Sequence, residues 1–266
     1  MKRGKLSFGS IFSKTVEDYK RNFKSIFLFL LVLIGIFSLL SFVISSIIIM
    51  NDKTIQDFVI NSHLENYQFD IIDFPWSYMI ITWVLGIISI VLSIFVSGGL
   101  VSISVRKETF TYRELVKAAR ASFGTYILFI IVSGIFLFGL FLLLIIPGII
   151  FMVYWSVSSY VLFYEKKGIL ESLKRSLELV KGNWWRMFGY LILVFLLLVV
   201  ISIGISIVVQ PTQFVQMMSL FYQQPISPEF FLLNSFLAVI SQFIGTVIYV
   251  PFMMLFFKNV YVRLRR

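Results

Sequence analysis

Residues 147–186 read PGIIFMVYWSVSSYVLFYEKKGILESLKRSLELVKGNWWR, and the order of events along them decides the fold. A Pro-Gly step at Pro147-Gly148 opens an uncharged, aromatic-rich run that ends at Glu165-Lys166-Lys167. An amphipathic stretch follows, and a second apolar run starts behind Asn183-Trp184-Trp185. An apolar run, a charged exit, an amphipathic segment and an aromatic-marked re-entry describe a chain passing out of a bilayer and back into it.

The rest of the chain agrees. Of its 266 residues, 59% are apolar and 14% charged, against about 45–50% and about 25% in soluble domains. Charges cluster between uncharged tracts at 25–51, 74–105, 121–164, 187–228 and 230–257. A helix needs about 20 residues to cross about 30 Å of hydrocarbon. Tract 121–164 is long enough for two crossings, with Pro147-Gly148 as the expected turn between them. The predicted fold is all-α, with six transmembrane helices at about 25–49, 79–105, 125–146, 149–164, 184–209 and 230–257. After 209, the polar stretch Gln210–Ser227, rich in Met and Phe, is expected to form a short outer-surface helix. The first apolar run is too long for a cleavable signal, whose hydrophobic region is about 7–15 residues.

Of the 23 Lys and Arg residues, all but Lys53 fall on one side of this layout. The positive-inside rule then places both termini in the cytoplasm and the protein in the cell membrane. The same bias accounts for the formal charge of +10: anionic headgroups at the cytoplasmic face are the expected partners, and nucleic acid is not.

An internal pattern recurs. Setting Asn22 against Asn183 aligns Val16 with Leu177, Lys20 with Lys181 and Phe23 with Trp184; setting Ser122 against Asn22 aligns Val116, Arg120 and Phe123 with the same positions. Each unit is an amphipathic helix, a basic residue, one further residue, Asn or Ser, an aromatic, and then a membrane hairpin. The chemistry suits a corner between two helices: cations favour a helix C-terminus, Asn and Ser cap the next helix, and aromatics sit among headgroups. We therefore expect three parallel repeats, with interfacial helices at about 7–21, 110–121 and 168–181. In the first, Phe8, Ile11, Phe12, Val16, Tyr19 and Phe23 form the expected apolar face. In the third, Ile169, Leu170, Leu173, Leu177 and Val180 oppose Glu171, Lys174, Arg175, Glu178 and Lys181, with Glu171 and Arg175 spaced for an i,i+4 pair. That face is expected to anchor on the membrane, or to dock a membrane or cytoplasmic protein through Lys174, Arg175 and Lys181.

The expected crossings carry no charged residue in their interiors, and buried ionisable groups are the usual mark of proton relays and intramembrane catalysis. The chain has no Cys and a single His, His63. The outer loop 51–77 holds Asp57, His63, Glu65, Asp70 and Asp73, but their spacing fits no metal-ligand pattern. No catalytic residue, metal or cofactor is expected. Small residues at fourth positions, Ser89, Ser93 and Ser97, Ser202 and Ser206, with Ser38, Ser41 and Ser45, are expected to pack helices closely. Ser156, Ser159, Asn234 and Gln242 are the candidates for an uncharged intramembrane cavity.

Ile146-Pro147-Gly148-Ile149, Tyr164-Glu165, Gly168–Ser176 and Val180–Arg186 together resemble the integral-membrane domain attached to some glycerophosphoryl diester phosphodiesterases. The resemblance implies membrane topology and makes Pro147, Gly148, Glu165, Asn183 and Trp184 structural or contact residues. It implies no catalysis, because that family's chemistry lies in a separate soluble barrel of about 250 residues. The expectation is a non-enzymatic scaffold or accessory subunit, with a permease or lipid-handling protein as the alternative.

Overall fold

The computed structural model of the chain describes residues 7–61, 75–222, 224 and 226–265; His63, Glu65, Asp70 and Asp73 of the expected outer loop lie outside them. Among the described residues there is no strand, and six helices are long and apolar enough to cross a membrane. The elements are α1 (Phe8–Leu30), a π-helical turn (Leu31–Gly35), α2 (Ile36–Asn51), α3 (Lys53–Asn61), α4 (Trp76–Ser104), α5 (Tyr112–Leu143), α6 (Ile145–Tyr154), α7 (Ser158–Tyr164), α8 (Ile169–Val180), α9 (Trp184–Val209), α10 (Thr212–Phe221) and α11 (Pro228–Arg265). Side chains such as Ile90, Val200 and Ile207 are more than half exposed, as bilayer-facing residues should be and as a water-soluble surface would not tolerate in such number. The protein is an all-α, multi-pass membrane protein.

The chain divides into two compact units. Unit 1 comprises Met1–Leu30, Ser93–Leu198 and Val247–Arg266. Its core gathers Tyr160, Tyr261, Phe256, Val101 and Met187, all 2% exposed or less. Tyr160 is buried without cost to its hydroxyl, which donates to the Met254 carbonyl at 2.7 Å. Unit 2 comprises Leu31–Leu92 and Val199–Thr246. In it the Phe42 and Phe236 rings meet at 5.5 Å, and Asn234 accepts from Thr212 at 2.7 Å and donates to Gln216, holding α10 on α11.

Two expectations are corrected. The turn between the third and fourth crossings is at Leu144, which is extended (φ −158°, ψ 132°), and Pro147-Gly148 lies inside the first turns of α6. Proline is accommodated there because the first helical N–H groups have no intrahelical partner. Gly148 serves packing: a Cβ on it would lie 2.5 Å from the Phe141 ring, so its absence lets α6 lie on α5. The fourth crossing is itself broken at 155–157, where Val157 is fully buried and Ser158 2% exposed. Irregular backbone survives at such a place because protein, and not lipid, surrounds it.

The second correction concerns the corners. Only the third repeat has a separate amphipathic helix; in the first two it fuses with the crossing into one continuous run, within 8–51 and in α5. The cause is local. Lys181 ends α8, Gly182 takes φ 91°, and α9 starts after Asn183, whose carbonyl accepts from Met187 at 3.0 Å. Arg21 and Ala121 hold the position of Gly182, and neither tolerates that conformation. Asn22 and Ser122 then bond back onto their own helices, to the carbonyls of Asp18 (2.9 Å) and Ala119 (3.3 Å). We predict that Gly182→Val lowers stability by about 1–2 kcal/mol, the cost of a left-handed non-glycine residue, while Gly182→Asn costs less; thermal unfolding in lipid nanodiscs checks both.

The repeat itself is visible in what is buried. Thr15, Leu115 and Ser176 occupy equivalent positions and are all buried, as are Ile26, Tyr126 and Met187, and Phe29, Phe129 and Tyr190. Three repeats, on α1, on α5 and on α8 with α9, thus present the same register to the interior of unit 1.

Candidate functional site

On α1 the buried stripe is Ile11, Thr15, Asp18, Asn22, Ile26 and Phe29, at helical spacing. Ile11 of the expected apolar face lies in this stripe, Phe8, Phe12 and Val16 pack against the same core, and Lys20 and Lys24 are exposed as expected. The departures are the polar Thr15, Asp18 and Asn22, which are buried, and Phe23, which is 42% exposed. Asp18 is 1% exposed. Its Oδ2 accepts from Lys258 Nζ at 2.7 Å and from Asn259 Nδ2 at 3.2 Å, and Oδ1 faces Lys14 Nζ at 3.3 Å. Asn259 Nδ2 also reaches Thr15 Oγ1 at 3.2 Å. A buried carboxylate needs an opposite charge and filled acceptor sites. Residues some 240 positions away supply the charge and fill Oδ2, while Oδ1 has the charge of Lys14 nearby but no hydrogen bond among the described residues. The same pair of helices meets at a second polar point. Pro251 has no N–H for the Val247 carbonyl one turn back, and the Tyr19 hydroxyl donates to that carbonyl at 3.2 Å. Asn22 extends the frame to the 105–111 loop: its Nδ2 donates to Glu108 O at 2.8 Å and its Oδ1 accepts from Phe110 N at 3.0 Å.

Glu165, expected as a residue leaving the bilayer, is the second withdrawn carboxylate. It accepts from the Tyr261 hydroxyl at 3.1 Å and faces Arg175 Nε at 3.4 Å and Lys167 Nζ at 3.6 Å. Arg175 also donates to Glu178 at 3.1 Å, so its partners are Glu178 and Glu165 and not Glu171. The Glu178 bond, aided by the charge of Glu165, raises the Arg175 pKa further above its ordinary value. Beside this network the Arg265 guanidinium lies 4.2 Å from the Tyr164 ring centre.

The α8 helix packs on protein through a face that mixes small and apolar residues. Its buried stripe is Ser172, Leu173, Ser176 and Val180, with Leu170 62% exposed. Two serines in that stripe let α8 approach α6 and α7 closely, and Ser176 Oγ donates to the Tyr154 carbonyl at 2.6 Å. Lys174 and Lys181 stand with Glu171 and Glu178 on the exposed side. Trp184 closes over α6, donating from Nε1 to the Ile150 carbonyl at 3.3 Å and stacking on Phe188. The structure thus brings Glu165 together with Arg175 and seats Trp184 beside α6, the helix that contains Pro147-Gly148.

The cavity candidates have separate settings. Ser156 Oγ donates to Val153 O at 2.8 Å, and Ser156 and Ser159 belong to unit 1; Asn234 and Gln242 belong to unit 2. Asn234 is engaged by α10 as described. Gln242 lines an open cleft of about 310 Å³ with Ser38, Ser41, Ser45, Thr82 and Ser89. Ser41 Oγ is buried there and has no hydrogen-bond partner among the described residues. Sequence reading found these serines as packing residues and missed their convergence. It also missed Asp18 with Lys258, although the 3.6-residue spacing of Ile11, Thr15, Asp18 and Asn22 was a signal for an inward polar face.

No curated protein and no solved structure matches the chain. A family model described as Domain of unknown function (DUF7847) matches residues 76–264, which take in α4 and α5, the α6–α8 assembly, and Glu165 and Lys258 of the two charged networks. The chain belongs to that family.

Proposed function

We propose that the protein is a non-enzymatic scaffold or accessory subunit of the cell membrane, with both termini in the cytoplasm. The observation that carries this reading is the use made of the two carboxylates withdrawn from water. Asp18 ties α1 to α11 through Lys258 and Asn259, and Glu165 ties the end of α7 to α11 through Tyr261. Their charge is spent on holding helices together. The exposed side of α8, with Lys174 and Lys181, is the contact surface of this reading. The resemblance to phosphodiesterase membrane domains, which themselves carry no chemistry, points the same way.

Two measurements test it. The chain has no native cysteine, so single introduced cysteines report sidedness cleanly. A membrane-impermeant maleimide applied to intact cells is expected to label Lys53→Cys and to leave Glu171→Cys unlabelled until the cells are opened; the reverse pattern contradicts the orientation. Extraction in native lipid particles followed by mass spectrometry is expected to find a stoichiometric protein partner that is lost from the Lys174→Glu/Lys181→Glu variant. The alternative, a permease or lipid-handling protein, draws support from the polar cleft around Ser41 and Gln242 in unit 2. A retained small molecule or lipid, with no protein partner, would favour it.

A further inference from the structure

In unit 1 a second cleft, of about 420 Å³, is lined by Lys14, Arg106, Lys107, Lys258 and Arg263, with Glu108 as its one carboxylate. We propose that this cleft binds a phosphate group, carried either by an anionic lipid headgroup or by a soluble phosphate ester. The proposal is independent of the scaffold reading, which rests on α8 and on the buried pairs.

The carboxylates around the cleft are already committed. Glu108 pairs with Arg21 at 3.0 Å, Glu114 with Lys107, and Asp18 with Lys258 and Lys14. Against them stand two guanidiniums without a carboxylate. Arg263 Nη1 donates to the Ser10 hydroxyl at 2.6 Å, and Arg106 has no ion-pair partner among the described residues. A guanidinium fork matches phosphate oxygens in a bidentate fashion that a lysine cannot. The walls between the cations include Val105, Tyr164 and Val262; such low-dielectric surfaces focus the positive potential into the cleft.

The cations are also held in place. Arg106 and Lys107 follow α4 with their N–H groups bonded to the Ile103 carbonyl, each at 2.9 Å. The loop beyond them is pinned by Asn22 to the backbone of Glu108 and Phe110, and it ends in a capping box in which Thr111 and Glu114 satisfy one another. A preorganised cation set loses little freedom when it takes up an anion. Arg106 and Lys258 further follow directly on the uncharged tracts 74–105 and 230–257, the position along a crossing at which headgroup phosphates are expected.

A simpler role for two of these residues is to complement the C-termini of α4 and α11. The test separates the roles by comparing Arg106→Gln/Arg263→Gln with Arg113→Gln/Arg120→Gln, an equal loss of charge at exposed residues away from the cleft. The full chain is placed in phosphatidylcholine nanodiscs, with or without phosphatidylglycerol, and retained lipid is read by native mass spectrometry. Inorganic phosphate is titrated against the phosphatidylcholine sample. We expect wild type to retain phosphatidylglycerol or to bind phosphate. The cleft pair should lose at least about tenfold, as the removal of two charge-assisted contacts implies, and the distant pair less than about twofold. Retained phosphatidylglycerol with no phosphate binding identifies a lipid headgroup; phosphate binding without lipid retention identifies a soluble ester. Equal behaviour of the two pairs, or no binding by wild type, overturns the proposal. Arg106 makes no ion pair, so Arg106→Gln alone carries the same comparison if the double variant fails to fold.

Discussion

Replacing Asp18 by alanine is expected to lower the unfolding free energy by about 3–5 kcal/mol, the range seen when one partner of a buried ion pair is removed. The size of the effect comes from what is left behind. Lys258 is 8% exposed, and without Asp18 its ammonium loses its counter-charge and keeps only the little water that reaches it from the adjoining cleft. Lys258→Ala should cost a similar amount, because Asp18 would keep only Asn259 Nδ2 at 3.2 Å and the more distant Lys14. Removing Glu17, which is 54% exposed and pairs with Lys14 and Arg21, should cost less than about 1 kcal/mol. Thermal unfolding of purified protein in lipid nanodiscs gives the ranking; equal, small effects for Asp18 and Glu17 would mean that the pair is not buried as described.

The second large effect is steric. A Cβ added to Gly99 would lie 2.7 Å from Ala119 Cβ and 3.1 Å from Ala119 Cα. The obstacle includes backbone, so no rotamer change relieves it and α4 must move away from α5. Gly99→Val is expected to cost about 3 kcal/mol, the upper end of the overpacking range, and Gly99→Ala somewhat less. Gly99→Ala combined with Ala119→Gly should recover much of the loss, since the methyl group is moved across the contact and not added to it. Gly134 is the control: nothing lies within 4 Å of a Cβ placed there, so Gly134→Ala should stabilise the helix by about 0.5–1 kcal/mol. A loss from Gly134→Ala equal to that from Gly99→Ala would show that general helix effects, and not the Ala119 contact, set the cost.

Membrane helices leave a coarse signal in sequence. Uncharged tracts and their charged ends predicted a fifth crossing at 184–209, and α9 is Trp184–Val209. Chain direction was harder. Pro147-Gly148 has the composition of a turn, yet proline also suits the opening of a helix, and nothing at Leu144 marks it as the extended residue. The repeat was legible because its buried register recurs, but its corners were not, because one glycine, Gly182, separates a broken helix from a continuous one. For α8 the apolar pattern put Leu170 and Leu177 on one face with Leu173 and Val180. Close packing buried Ser172 and Ser176 with Leu173 and Val180, since small residues allow helices to approach. The charged core of unit 1 was least legible. Lys258 looked like one more cytoplasmic cation at the end of a crossing, and its partner is 240 residues away, a distance that local periodicity cannot bridge. In the cleft of unit 2, serines found by their spacing within single helices turned out to converge from several helices, which also needs the fold.

On the scaffold reading we propose, the ionisable groups taken out of water here hold the structure. A double-mutant cycle on Asp18 and Lys258 tests it most directly. If the pair is structural, Asp18→Leu/Lys258→Met should be close to wild type in stability although each single change is costly, because an apolar pair of similar volume can replace a buried ion pair. The double variant should also retain whatever protein partner wild type carries in native lipid particles. A double variant that unfolds like wild type but has lost that partner would contradict the account, and would move Asp18 and Lys258 from the frame of the protein to its working site.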